Sequence, residues 1–200
     1  MKQLPQGTQE YYSQTFNGIE GNSAHLTDLE FEDCTFVKCD LSDAVMIKCR
    51  FINCSFVDCN MNSIKVAHSK FMEVSFERCK LVGVDWSRAH WPSIASFEAV
   101  KFNGCLISYS SFYGLELQEI VIQECKALEV DFREGNFSSS DFSHTNFGGS
   151  LFAKTNLKKV NFEEATDYQI DVLNNDIQGA KFSRYEAVNL LQGLGIELLD

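Results

Sequence analysis

Phe31-Glu32-Asp33-Cys34-Thr35-Phe36-Val37-Lys38-Cys39-Asp40-Leu41 decides the fold. A large apolar residue returns at every fifth position, 31, 36 and 41, and a small residue stands two places before it, as Cys34 and Cys39 do. Followed outward, the beat runs unbroken through Leu26, Phe31, Phe36, Leu41, Met46, Phe51, Phe56, Met61, Val66, Phe71, Phe76, Leu81, Trp86 and Trp91. The next step is six residues. From Phe97 the beat resumes through Phe102, Ile107, Phe112, Leu117, Ile122, Ala127, Phe132, Phe137, Phe142, Phe147, Phe152, Leu157, Phe162, Asp167, Val172, Ile177 and Phe182, with Ala127 and Asp167 its weak members. With Phe16, all 17 Phe fall on it, where chance would place about one in five.

Neither a helix, with its period of 3.6, nor a strand, with its period of 2, repeats every five residues. A chain that turns a corner every five residues does. It sends the beat residue and the one two before it inward and leaves the other three to solvent. Four sides close a square coil, and successive coils stack at about 4.8 Å, the spacing of any β-ladder. Thirty-two repeats give about eight coils and a rod of roughly 38 Å. Residues twenty apart then stack. If the six-residue step adds one residue, one side reads Phe31, Phe51, Phe71, Trp91, Phe112, Phe132, Phe152, Val172 and the next reads Phe36, Phe56, Phe76, Phe97, Leu117, Phe137, Leu157, Ile177. The step, in Trp91-Pro92-Ser93-Ile94-Ala95-Ser96-Phe97, reads as a local bulge, for which Pro92 suits a strained corner because its φ is fixed.

Charge narrows the function. Lys and Arg total 17 against 28 Asp and Glu, a net charge of −11, which argues against direct nucleic-acid binding through basic contacts and against a polybasic membrane-surface protein. Met1-Lys2-Gln3-Leu4-Pro5-Gln6-Gly7 has no apolar run behind it, and no stretch approaches a membrane span. The expectation is a soluble cytoplasmic protein.

All eight Cys occupy the inward small position. Cys39, Cys59 and Cys79 stack on one side, Cys34 and Cys54 on another, Cys105 and Cys125 on a third. Coil spacing brings neighbours within disulfide reach by distance, so geometry leaves a bridge open. A buried reduced thiol is the favoured reading, because free Cys behaves as a small hydrophobe and a straight column is not a tetrahedral ligand set. His25, His68, His90 and His144 all point outward on different coils, without metal-ligand spacing. Nothing assembles a nucleophile, base and oxyanion site, and a rod filled with Phe leaves no cavity for a small molecule. The expectation is a non-enzyme with no cofactor and no metal.

Function therefore lies on the outside. Residues 26–96 carry ten acids and eight bases, residues 97–182 thirteen acids and seven bases. All acids between Leu26 and Phe182 face outward in this reading except Asp167, which falls on the beat. The densest window holds Glu116, Glu119, Glu124, Glu129, Asp131, Glu134 and Asp141 against Lys126 and Arg133. These seven are the candidate partner-binding residues, although acids also simply keep a rod soluble. The domain reading is a 1–25 segment leading into the coil, a 26–182 β-helix, and a 183–200 cap. In that cap Ser183-Arg184-Tyr185-Glu186 fits a capping box, a short helix ends at Gly193, and Leu194, Ile196 and Leu198 alternate like a strand. Tyr185, Val188, Leu191, Leu194, Ile196 and Leu198 are candidate dimerisation residues, because an open β-helix end must be capped or paired; a monomeric cap is the alternative.

The five-residue motif resembles A(D/N)LXX of the pentapeptide-repeat family, over about residues 26–182. That resemblance implies an all-β solenoid, a right-handed quadrilateral β-helix. The tail, Asp176-Ile177-Gln178-Gly179-Ala180-Lys181-Phe182-Ser183 through Leu194-Gly195-Ile196-Glu197-Leu198-Leu199, is more specific. With Phe31-Glu32-Asp33-Cys34-Thr35-Phe36, Phe71-Met72-Glu73-Val74, Trp91-Pro92-Ser93 and Phe112-Tyr113-Gly114-Leu115, it resembles the topoisomerase-interacting group of Qnr, MfpA and AlbG proteins, above all the albicidin-resistance protein AlbG. The resemblance implies a cytoplasmic homodimer, joined through C-terminal segments, that imitates duplex DNA and binds DNA gyrase. Such proteins protect gyrase from albicidin or quinolone-type antibiotics, and several inhibit it themselves. Qnr proteins carry long projecting loops; a single extra residue near Pro92 gives this chain none. The copy of DNA is partial: roughly 38 Å of duplex carries about 22 charges, twice the −11 here. The alternative is a pentapeptide-repeat scaffold for another basic protein, with no topoisomerase role.

Overall fold

The structure, a computed structural model, describes residues 9–91, 100–194 and 196. The chain winds as a parallel β-solenoid of about eight turns. Its four faces are numbered in the order the chain visits them, through Phe31, Phe36, Leu41 and Met46. On the first, Glu10–Tyr12, Glu30–Glu32, Arg50–Ile52 and Lys70–Met72 pair in parallel. On the second, Thr15–Asn17, Thr35–Val37, Ser55–Val57, Ser75–Glu77, Lys101–Asn103 and Val121–Gln123 do the same. The third face is a run of single parallel bridges, Glu20 to Asp40, Asn60, Lys80, Leu106, Lys126, Asn146 and Thr166. On the fourth, His25–Thr27 pairs with Val45–Ile47, and further along Asp85, Ser111, Asp131 and Leu151 bridge in turn. Pairing begins at Glu10, ahead of Leu26 where the unbroken beat starts, because Tyr11 and Phe16 already occupy beat positions.

Each corner is made by the residue two after the beat. Asp33, Lys38, Asp43 and Lys48 sit at φ 54°, 51°, 56° and 55°, a left-handed conformation that L-residues adopt at a cost. Their N–H groups donate into the next coil, as Asp33 does to Ile52 O at 3.0 Å and Lys38 to Val57 O at 2.9 Å, so the turn costs no backbone hydrogen bond.

The inward small position has a second duty besides fitting. The Cys39 thiol donates to Phe16 O at 3.4 Å, while the Cys39 N–H donates to Cys59 Sγ at 3.4 Å. Ser69 does the same with oxygen, donating to Met46 O at 2.9 Å and accepting from Cys49 N–H at 3.0 Å. Cys, Ser and Thr recur there because each supplies a donor and an acceptor between coils, while Ile64, Val74 and Ile120 fill the same inward position with apolar bulk alone. Between them the beat residues stack. Rings of Phe16, Phe36, Phe56, Phe76 and Phe102 follow one another at 4.6–5.1 Å between centroids. Edge-to-face contacts such as Phe31 with Phe36 join neighbouring faces.

The structure corrects the sequence reading in several places. Ser75 pairs with Lys101 and Phe76 with Phe102, 26 residues on instead of 20, and Asp85 with Ser111. The register is regular up to the His90 N–H bond to Ser69 O, so the chain advances six extra residues between Trp91 and Val100, not one. Six is five plus one, and a whole added pentapeptide leaves a five-residue beat unchanged. Phe112 therefore follows Trp86, at 6.1 Å, whereas Trp91 tilts over Phe71; Phe97 and Pro92 lie outside the described residues. The same shift merges the third-face thiols into one column, Cys39, Cys59, Cys79, Cys105 and Cys125, each N–H bonding the next sulfur. All eight Cys are free and buried.

Asp167 is exposed at φ 58°, and Tyr168 takes the buried place. Burying a carboxylate costs far more than a slipped beat, and the next ladder partner of Phe152 becomes Ile170 instead of Val172. At the C-terminal end Glu186–Leu194 is a 3-10 helix, and Leu194 belongs to it rather than to a strand. The Ser183 hydroxyl forms no capping box: it accepts from Glu164 N–H at 2.8 Å and donates to Glu164 Oε1 at 3.3 Å.

Candidate functional site

The acidic window does not form one surface. Residues 116 to 141 wrap more than one full coil, so the seven candidates spread over all four sides. Glu116 lies on the first face, where it accepts from Asn136 Nδ2 at 2.9 Å. Glu119 and Glu124 stand at the two corners flanking the second face, and Asp141 lies on that face, accepting from Gln123 and Asn161. The remaining three converge: Asp131 on the fourth face, with Glu129 and Glu134 at its two corners.

That fourth face carries more than acid. Tyr109 stands at the corner one coil before Glu129, and Tyr113 lies beside Arg133, whose guanidinium sits 5.8 Å from the ring centroid. Arg133 pairs with Asp131 at 2.7 Å, which holds the Asp131 carboxyl below the usual carboxylate range. The neighbouring Glu134 carboxylate pushes the Tyr113 phenol up. Lys154 approaches Glu134 at 3.9 Å on the next coil. The side chains of Glu129, Glu119 and Glu124 have no ion-pair partner among the described residues. Leu151 bridges Asp131 in the ladder and is exposed, so acids, phenols and an aliphatic group share one plane.

The other half of the rod differs along one edge. Some carboxylates there meet a complementary group one coil on, as Asp33 meets Asn53 and Asp58 meets Arg78 at 2.8 Å, just as Glu116 and Asp141 meet Asn136 and Asn161. Along the edge between the fourth and first faces cations stack on cations instead. Arg50 is directly opposite Lys70, Lys48, His68 and Arg88 occupy successive corners, and Lys48, Arg50, His68 and Lys70 line one shallow groove. Arg50 pairs with Glu30 and Arg88 with Asp85 at 3.5 Å. Like charges directly opposite one another in a ladder destabilise it. Sequence reading passed over both this basic edge and the exposed tyrosines. The signals were basic residues recurring every twenty positions and aromatic residues off the beat.

At the C-terminal end Leu190 packs on the core. Tyr185 is 89% exposed, and Val188, Leu194 and Ile196 are exposed with it. Leu191 is half-buried, and Leu198 lies outside the described residues. Among the described residues no group of three or more His, Cys, Asp or Glu is placed to hold a metal ion, and no helix is long and apolar enough to cross a membrane.

A parallel β-solenoid with an apolar core and its charged side chains on the outer faces defines the structural class. Within that class the chain belongs to the pentapeptide repeat family, whose repeat region it matches over residues 29–95 and 95–171. No curated protein matches it. Two solved structures of trypsin-treated QnrB1, described as a plasmid-mediated fluoroquinolone resistance protein, share its fold. One has a TM-score of 0.64 at 19% identity, covering 100% of this chain and 97% of that one. The other has 0.53 at 21% identity, covering 95% and 97%.

Proposed function

We propose that this protein binds DNA gyrase as a partial imitation of duplex DNA and shields it from albicidin or quinolone-type antibiotics. At higher dose it inhibits the enzyme itself. The observation that carries this reading is the convergence of Glu129, Asp131 and Glu134 on one straight face of a rod with net charge −11. A basic groove built for DNA would receive that face, and the resemblance to AlbG and Qnr proteins supplies the partner. The protein acts in the cytoplasm as a homodimer joined through the exposed C-terminal residues Tyr185, Val188, Leu194 and Ile196, with Leu191 and Leu198 beside them. The basic edge at Lys48 and Lys70 is unlike DNA, so the half of the rod beyond residue 100 is the part that enters the basic groove.

Gyrase supercoiling, titrated with this protein with and without albicidin or a quinolone, tests the reading. Restored supercoiling in the presence of drug, and inhibition at higher dose, are expected. Reversing Glu129, Asp131 and Glu134 to Lys leaves the rod folded and abolishes both effects. No effect of the unaltered protein on gyrase would leave a scaffold for some other basic protein.

A further inference from the structure

Ten large apolar side chains are exposed among the described residues, and they are not scattered. Tyr12 lies at the N-terminal end, and Leu173, Tyr185, Val188, Leu194 and Ile196 lie at the C-terminal end. The four on the flank of the rod, Leu106, Tyr109, Tyr113 and Leu151, all fall on the adjoining third and fourth faces, 39–59% exposed. Clustered exposed apolar groups with a polar rim mark contact surfaces, and Tyr with Arg is the composition of interface anchors.

Tyr109 adds a second, independent observation. Its φ is 60°, and among the described non-glycine residues in left-handed corners it is the only Tyr, Phe or Trp. Its counterparts in the same corner column are Ser23, Asp43, Ser63, Gly83, Glu129 and Gly149, small or acidic side chains that suit the turn or reach water. A bulky residue held in this region is strained, and such strain persists where function retains it. Gly83 and Gly149 leave the corner open on either side of the Tyr109 and Glu129 pair.

We infer that Tyr109 and Tyr113 are the aromatic anchors of this face and that they grip arginine or lysine side chains of a basic protein partner. The inference rests on reading the face as a partner-binding surface. Tyr113 already holds a cation of its own chain, Arg133, over its ring. Among the described residues no cation lies over Tyr109, whose ring offers the same electron-rich surface beside the unpaired carboxylate of Glu129. A guanidinium stacked on that ring and bonded to that carboxylate satisfies both at once. Nucleic acid, with its anionic backbone, is repelled by the same carboxylates.

The test compares the full-length protein with Tyr109→Asn and Tyr113→Ser, measuring thermal midpoint and binding by calorimetry. One probe is purified gyrase and the other a peptide of alternating Arg and Gly. Tyr109→Asn is expected to raise the midpoint by about 2–4 °C, because Asn tolerates the left-handed corner, while weakening binding of both probes at least tenfold. Tyr113→Ser weakens binding without raising the midpoint. Loss of the unaltered protein's gyrase binding together with Tyr109-dependent binding of the peptide would remove gyrase as the partner and keep the anchors. Binding within twofold of the unaltered protein in both variants, or a lowered midpoint for Tyr109→Asn, overturns the inference even where charge reversal abolishes gyrase binding. Failure of the unaltered protein to bind the peptide overturns it too.

Discussion

The first four coils and the last four are built on the same beat yet turn their corners differently. Before Trp91 the residue preceding the beat is often Thr, Val, Glu, Arg, Lys or Ser, and three-residue strands form, as at Thr35–Val37 and Val45–Ile47. Beyond Val100 it is repeatedly Asp or Asn, whose side chain captures the N–H two residues on: Asp131 takes Arg133, Asn136 takes Ser138, Asp141 takes Ser143, Asn156 takes Lys158. This Asx turn competes with the ladder for the same donor. The second half shows mostly single bridges, at Lys126 and Leu151 without such a turn as well as at Asp131 and Asn136 with one. Rings stack in both halves, but the first half bonds its coils mainly through inward thiols, whereas the second adds the inward hydroxyls of Ser110, Thr145, Ser150 and Thr155. The exposed tyrosines of the flank lie on the second, while stacked cations mark the first.

Ring deletions are the strongest way to break this comparison. Phe56→Ala, between Phe36 at 4.6 Å and Phe76 at 5.1 Å, and Phe132→Ala, between Phe112 at 5.4 Å and Phe152 at 5.0 Å, should each cost about 3–5 kcal/mol. Each should lower hydrogen-exchange protection first in its own half, because a solenoid coil touches only its neighbours; uniform loss across the rod would make the two halves one cooperative unit.

Gly135→Ala probes the second half alone. An added Cβ would lie 2.5 Å from Phe137 Cε2 and 3.2 Å from the Leu115 carbonyl. Overpacking there should cost about 1–3 kcal/mol, whereas the equivalent inward position on the fourth face already accommodates Ala44. An unchanged denaturation midpoint would mean that the Phe137 ring can move aside.

Alkaline pH should loosen the thiol-lined coils selectively. Burial pushes Cys54 up to about 12, and hydrogen bonding along the column pushes Cys79 and Cys105 up to about 12. A folded-state pKa above the ordinary thiol value of about 8.5 means the folded state holds the proton more tightly. That stability is complete below about pH 8.5 and is lost as pH rises toward 12. Hydrogen exchange at rising pH should show protection falling around Cys54 and Cys79 before it falls around Thr145 and Ser150, which carry no titrating group; parallel loss would contradict the assignment.

The smallest effect concerns the basic edge. Lys70→Glu replaces a like-charge neighbour of Arg50 with an opposite one and should stabilise by about 0.2–1 kcal/mol, less in high salt. A destabilised variant would show that Lys70 is held by something other than its repulsive neighbour.

Much of this was legible in the residues. Among the described residues the beat named the inward positions from Phe31 to Trp86 and again from Phe102 to Phe162, and placed each Cys and His on the correct side of the wall, because a five-residue turn gives every position a fixed direction. Asp167 broke the pattern, since a carboxylate turns to water at a smaller cost than its burial. The capping box at Ser183 failed because a hydroxyl within reach of Glu164 has a better partner than its own helix. The candidate site was legible only in part. Glu129, Asp131 and Glu134 stood in the window beside four acids that point elsewhere, and Tyr109 and Tyr113 carried no weight until their exposure and the left-handed corner were seen.

The division between the two sources of information is arithmetic. The sequence alone determined inside and outside, since direction repeats every five residues and any run of the beat declares it. Which residues stack, and so which charges share a face, depends on the count around a full coil. A step of six residues looks like one added residue in the first count and places Phe102 on Phe76 in the second. Only the backbone hydrogen bonds between Ser75–Glu77 and Lys101–Asn103 choose between them, because pairing across coils is a contact between residues distant in sequence and leaves no mark on the local period.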